Sequence, residues 1–136
     1  MSLPAKAERA IEAFAAVSSW ENRTRLLMAW GDQELDVLPE NQRDDAHRVH
    51  GCDTAVWLET RIEDEQVYIR AASDARLIRG LIAVLVARVE GANRQTIATI
   101  DPYVWFEQLG LARQLSPSRA NGMNAVWERI KMEALD

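Results

Sequence analysis

Between Leu77 and Val89 apolar residues cover most of the circumference of a helix, interrupted only by Arg79, Gly80 and Arg88. A helix of that kind offers no face to water and is buried on nearly all sides. The rest of the chain must therefore wrap around it. Its uninterrupted apolar run, Leu81 to Ala87, is far short of the ~20 residues needed to span a bilayer. The segment thus reads as a central core helix. Ser73 or Asp74 is placed to cap its start, because either side chain can accept from free amides of a first helical turn. Gly91 is placed to end it.

The flanking segments supply two kinds of partner. Upstream, residues 5 to 18 carry Ile11, Phe14 and Val17 at helical spacing. A second helix carries Leu26, Leu27 and Trp30, with Asn22 or Thr24 as its cap and Gly31 and Asp32 weakening its end. Asp36 to Asp45 reads as an irregular loop around Pro39. The period then changes. Val56, Leu58 and Thr60 alternate with Trp57 and Glu59, and Val67, Ile69 and Ala71 alternate with Tyr68 and Arg70. Two alternating runs joined by Glu63-Asp64-Glu65 predict an antiparallel hairpin, and His47 to His50 can add a short third strand. Downstream, Asp101-Pro102 and Ser116-Pro117 both place a capping residue before a proline at the first helical position, and Gly110 follows the first of these helices. The last helix shows a stripe of Met123, Val126, Trp127, Ile130 and Ala134. The five tryptophans mostly fall on such stripes, which assigns them to packing. The expected architecture is one α+β domain over residues 1–136, with a small antiparallel sheet of about three strands packed against several helices.

Bulk properties narrow the function. A chain of 136 residues can bury a core without disulfides or metals. Acidic residues outnumber Lys and Arg by 21 to 16, the reverse of what a nucleic-acid binder shows. No basic segment leads into an apolar core at the N-terminus, so no signal peptide is read and a cytoplasmic location is expected. There is one cysteine, Cys52. It can form no internal disulfide, and it cannot supply the several thiolates of an iron–sulfur cluster.

Most of the chemistry lies in His47-Arg48-Val49-His50-Gly51-Cys52-Asp53-Thr54, on a loop before the first strand. Gly51 gives the backbone conformations other residues avoid. Nearby positive charge favours thiolate, the nucleophilic form. Three readings compete with an inert buried cysteine. One is a sulfur nucleophile whose partner sulfur comes from another molecule. A second is a metal site drawing on His47, His50, Cys52 and Asp53, although His50 and Cys52 lie too close for common zinc spacings. A third is a Cys-His hydrolase pair, for which no oxyanion hole is visible. Arg119 stands out because the first turn of a helix disfavours a cation. It is either a solvated arginine or a contact to the Cys52 loop or a partner.

Several segments in order resemble the SufE/CsdE family, the Fe–S metabolism associated domain. They are Val49-His50-Gly51-Cys52 with Val56-Trp57, then Ser73-Asp74-Ala75 with Ile78-Arg79-Gly80-Leu81. Trp105-Phe106-Glu107 with Leu109-Gly110-Leu111 follows. The most distinctive is Leu115-Ser116-Pro117-Ser118-Arg119, with Asn121-Gly122 and Asn124-Ala125 behind it. The resemblance runs from about Trp20 to Ile130.

The resemblance implies an accessory sulfur-transfer protein rather than a free-standing enzyme. Such a protein binds a cysteine desulfurase, takes its persulfide sulfur onto Cys52, stimulates it, and relays the sulfur to an acceptor such as an Fe–S scaffold. No resident cofactor is implied: the persulfide on Cys52 is transient and the pyridoxal phosphate belongs to the partner. Nucleic acid and membrane are not expected as partners. His50 and Gly51 would shape the loop, with Asp53 and Asp74 in support, and Arg119 and Asn121 would contact the partner or position the loop. The rival functions are a metal-binding scaffold using His47, His50 and Cys52, and a desulfurase activator with an inert Cys52. Family members commonly carry Gln-Ser-Gln after the cysteine, where this chain has Asp53-Thr54-Ala55. A carboxylate there raises the thiol pKa, and a protonated His50 would offset it. A shielded Cys52 that swings out on docking is expected.

Overall fold

The computed structural model describes residues 3–135, so the ends of the expected 1–136 domain, Met1, Ser2 and Asp136, lie outside the described residues. Five α-helices flank one hairpin: α1 Ala5–Ala15, α2 Trp20–Gln33, β1 Val56–Glu63, β2 Gln66–Ser73, α3 Arg76–Val89, α4 Pro102–Gln108 and α5 Pro117–Leu135. The architecture is α+β, as expected. No helix among the described residues is long and apolar enough to cross a membrane.

α3 is the central element. Every residue from Gly80 to Ala87 is buried, as is Val89. α2 crosses it at two glycines. A Cβ on Gly80 would fall 2.2 Å from the Leu27 carbonyl oxygen, and one on Gly31 would fall 2.7 Å from the Gly80 nitrogen. Only glycine lets the two backbones approach so closely. Phe14 of α1 tilts against Trp30 of α2 at 6.1 Å between ring centroids. The Trp105 indole of α4 donates to the Val84 carbonyl of α3 at 2.9 Å, satisfying its buried N–H. Trp20 departs from the packing expectation: it is 45% exposed at the first position of α2.

The hairpin pairs Val56 with Ser73 through Glu63 with Gln66. Val56, Leu58, Val67, Ile69 and Ala71 are buried, which is the alternating set read from the sequence. Its two-residue turn has Asp64 and Glu65 at φ 51° and 66°, the left-handed pair that matches strand twist. The sheet has two strands, not about three. His47 to His50 contributes one isolated bridge, Arg48 to Trp57. Val49 N–H donates to Val56 O and Leu58 N–H to His47 O, both at 2.9 Å. Gly51 then takes φ 98°, which turns the chain away and ends the ladder.

Helix starts were partly legible. Asp101 accepts from the Tyr103 and Val104 amides, and Ser116 from the Arg119 amide at 3.3 Å. α2 is capped by Ser19, whose Oγ accepts from Asn22 N–H at 3.0 Å, instead of by Asn22 or Thr24. Those two lie inside the helix, where Thr24 Oγ donates back to Trp20 O at 3.0 Å. Neither Ser73 nor Asp74 caps α3. Its N-cap position is Ala75, without a side-chain cap. Ser73 lies two residues too early and accepts only from Ala75 N–H at 3.4 Å, while Asp74 is exposed.

Candidate functional site

Cys52 lies between Arg48, which bridges to Trp57, and the start of β1 at Val56, on the loop that Gly51 bends back toward α5. The thiol is neither free in solvent nor sealed in the core. Its Sγ donates to the Gly122 carbonyl of α5 at 3.3 Å. Gly122 has no side chain to intervene, and a Cβ there would come 3.6 Å from Sγ. Met123 and Ile78 help form the apolar wall of a cavity of about 390 Å³ that Cys52 also lines. Its polar margin comes from Asp53, Ser116, Ser118 and Arg119.

The margin ties the cysteine loop to the first turn of α5. The Ser118 hydroxyl donates to the Asp53 carboxylate. Arg119 is half-buried, and its guanidinium donates to the Gln114 carbonyl at 2.8 Å. That bond gives a cation in a first turn a backbone partner. Arg119 therefore lies at the cavity and ties the first turn of α5 to the segment before it.

Electrostatics at the sulfur oppose one another. Burial pushes the Cys52 thiol above its ordinary value, the Arg48 guanidinium pulls it down, and the Asp53 carboxylate pushes it up, with a net rise. The effect expected of Asp53 is present. The cation acting against it is Arg48, where His50 was expected.

The remaining site residues are placed as follows. His50 and Asn121 are exposed, His50 beside Gly51 on the loop and Asn121 on α5 next to Gly122. Asp74 lines a separate cleft with Arg43 and Arg79, away from the thiol. His47 is engaged with Asp44, Nδ1 to Oδ1 at 2.7 Å. Among the described residues no group of three or more His, Cys, Asp or Glu is placed to hold a metal ion. Sequence reasoning missed Ser118 and Gly122 as direct neighbours of the cysteine loop; Arg48 is the arginine of the segment whose positive charge the sequence already places near the thiol. Ser118 and Gly122 stand within recognisable segments, but a backbone acceptor has no residue-type signature.

Comparison with known proteins identifies the family. The SufE family, described as the Fe-S metabolism associated domain, matches residues 8–134. A protein of Escherichia coli K12 named sulfur acceptor protein CsdE is 38% identical over 125 residues, covering 91% of this chain and 84% of its own. An uncharacterized SufE-like protein of Rhizobium meliloti is 36% identical, covering 93% of each chain. The solution structure of a hypothetical protein from Thermus thermophilus superposes with a TM-score of 0.77 at 21% identity, over 98% of this chain and 96% of that one. This last likeness shows the fold.

Proposed function

The chain belongs to the SufE family of Fe-S metabolism associated domains, and from that premise we propose that it accepts sulfur from a cysteine desulfurase on Cys52 and relays it to a second acceptor. The observation that carries the reading is the half-buried Cys52 thiol, held by Gly122 at the wall of a surface cavity.

The transfer is a thiol exchange. The Cys52 thiolate attacks the outer sulfur of a donor persulfide, R–S–SH. A new S–S bond forms to Cys52, the donor's S–S bond breaks, and the donor's inner sulfur leaves as thiolate. The proton stays on the transferred sulfur, and no external oxidant or reductant enters. The rate follows thiolate fraction, leaving-group pKa and access. In the free protein the raised pKa and the Gly122 contact keep the first and last of these low. Docking moves the loop and raises both.

With one cysteine in the chain, no internal thiol can resolve the persulfide. It persists until an acceptor arrives, an Fe–S scaffold being the acceptor most in keeping with the family's description. Such a relay suits a reducing, cytoplasmic compartment. In this scheme the chain needs no cofactor of its own.

Incubation with a desulfurase and labelled cysteine tests the reading. The peptide holding Cys52 is expected to gain about 32 Da, one sulfur, and Cys52→Ser to lose both the gain and the stimulation of the desulfurase. Stimulation that survives Cys52→Ser would instead establish a binding activator with an inert thiol.

A further inference from the structure

Asp53 follows Cys52 in the chain, and the two line the same cavity. The charged residues of that lining are Asp53 and Arg119. Arg119 is half-buried, and its guanidinium is bonded to the Gln114 carbonyl at 2.8 Å. Asp53 is exposed. Among the described residues its carboxylate is bonded to the Ser118 hydroxyl, a neutral donor that leaves the charge in place. None of the ion pairs among the described residues includes Asp53. The cavity residues Val56, Leu77, Ile78 and Met123 carry no charge. The fully exposed charge beside the sulfur is therefore negative, and no cation of the chain is paired with it.

A donor must bring its own sulfur to Cys52, so the groups attached to that sulfur pass close to the carboxylate. A positive group there is attracted and a negative one repelled. Beside a partly buried thiol this interaction is screened less than one between distant surface charges.

We propose that Asp53 is the specificity-determining residue of the sulfur exchange: it selects donors that carry a positive charge beside the reacting sulfur, and so fits a partner whose sulfur-bearing segment is flanked by Lys or Arg. This rests on the sulfur-acceptor reading for the identity of the partner, but the selection itself is readable with small donors. A donor cation seated on Asp53 competes with Ser118 for the carboxylate, which loosens the tie between the cysteine loop and α5. It also neutralises a charge that holds the thiol protonated.

Two symmetric disulfides test this on the full chain: cystamine, with an ammonium on each half, and dithiodipropionate, with a carboxylate on each half. In both, the Cys52 thiolate attacks one sulfur, a mixed disulfide forms, and the other half leaves as thiolate without any oxidant. The ratio of the two rates on one protein cancels the thiolate fraction, which is common to both. At ~0.01 M ionic strength the cystamine to dithiodipropionate ratio of wild type is expected to be about fivefold that of Asp53→Asn, and the two to converge at about 1 M. Asp53→Lys is expected to fall below Asp53→Asn, Asp53→Glu to stay near wild type, and Ser118→Ala to keep the preference, since the carboxylate remains. Glu12→Gln removes the same charge from an exposed position of α1 and is expected to leave the ratio in place. A wild-type ratio equal to that of Asp53→Asn, or one moved as far by Glu12→Gln, would overturn the assignment. Sulfur loading from a desulfurase that fails while the ratio holds would count against the acceptor reading alone. Loading that succeeds with an unmoved ratio would count against Asp53.

Discussion

Ser118, in the first turn of α5, donates its hydroxyl to the carboxylate of Asp53, the residue next to Cys52. The bond spans the cysteine loop and the helix at the margin of one cavity. It acts as a latch that resists outward movement of the loop. Ser118→Ala is expected to speed Cys52 alkylation at neutral pH by about fivefold, since a solvent-accessible bond of this kind contributes about 1 kcal/mol. Asp53→Asn is expected to speed it as well, because it removes a carboxylate that holds the thiol protonated. Rates equal to wild type in both variants would exclude the latch.

The titration of Cys52 also sets a pH dependence of stability. Burial, with Asp53 adding to it, raises the folded-state pKa above the ordinary cysteine value of ~8.5, and Arg48 opposes only part of the rise. The folded state therefore binds the thiol proton more tightly than the unfolded chain does. The resulting stabilisation is complete below the unfolded value and is lost as pH rises through the folded one. Urea denaturation of wild type and Cys52→Ser from pH 7 to 10 checks the sign. Wild type is expected to lose stability relative to Cys52→Ser only in the alkaline part of that window. A relative loss toward pH 7 would contradict the shift.

Gly80 and Gly91 differ in why they are glycine, and their alanine variants are expected to show it. A Cβ at Gly80 meets the Leu27 backbone at 2.2 Å, so α2 and α3 must separate. Gly80→Ala is expected to destabilise the fold by about 3 kcal/mol, the upper part of the usual overpacking range. Gly91 has open space around its Cβ position but sits at φ 82°. Gly91→Ala is expected to lose about 1 kcal/mol through backbone strain alone. Thermal or urea melts rank the two, and a Gly80→Ala protein as stable as wild type would refute the close crossing.

The contrast also shows what was legible in the sequence. Periodicity is written in side chains, so the α5 stripe of Met123, Val126, Trp127, Ile130 and Ala134 and the buried set of the hairpin were readable before any coordinates. Asp101-Pro102 was readable because cap and proline act within one turn. The third strand was not, since Gly51 breaks a ladder that the preceding residues begin. Asp74 and Ser73 are both capping residue types, yet helical geometry begins at Arg76, beyond the reach that a first-turn cap requires. Cys52 was legible as the candidate nucleophile because it is the single thiol in a polar, glycine-bent segment. Its acceptor at Gly122 is a main-chain oxygen seventy residues away in sequence. Such long-range pairings appear only once the chain is folded.

Val49 and Val56 are joined main chain to main chain, and Arg129 clamps the segment leading in. The span that can travel is therefore a short tether pinned at both feet. Three residues out and three back at ~3.5 Å each give it a radius of about 10 Å. A delivering protein must bring its sulfur inside that small sphere, which demands a donor group carried on a projection and excludes one recessed in a deep well.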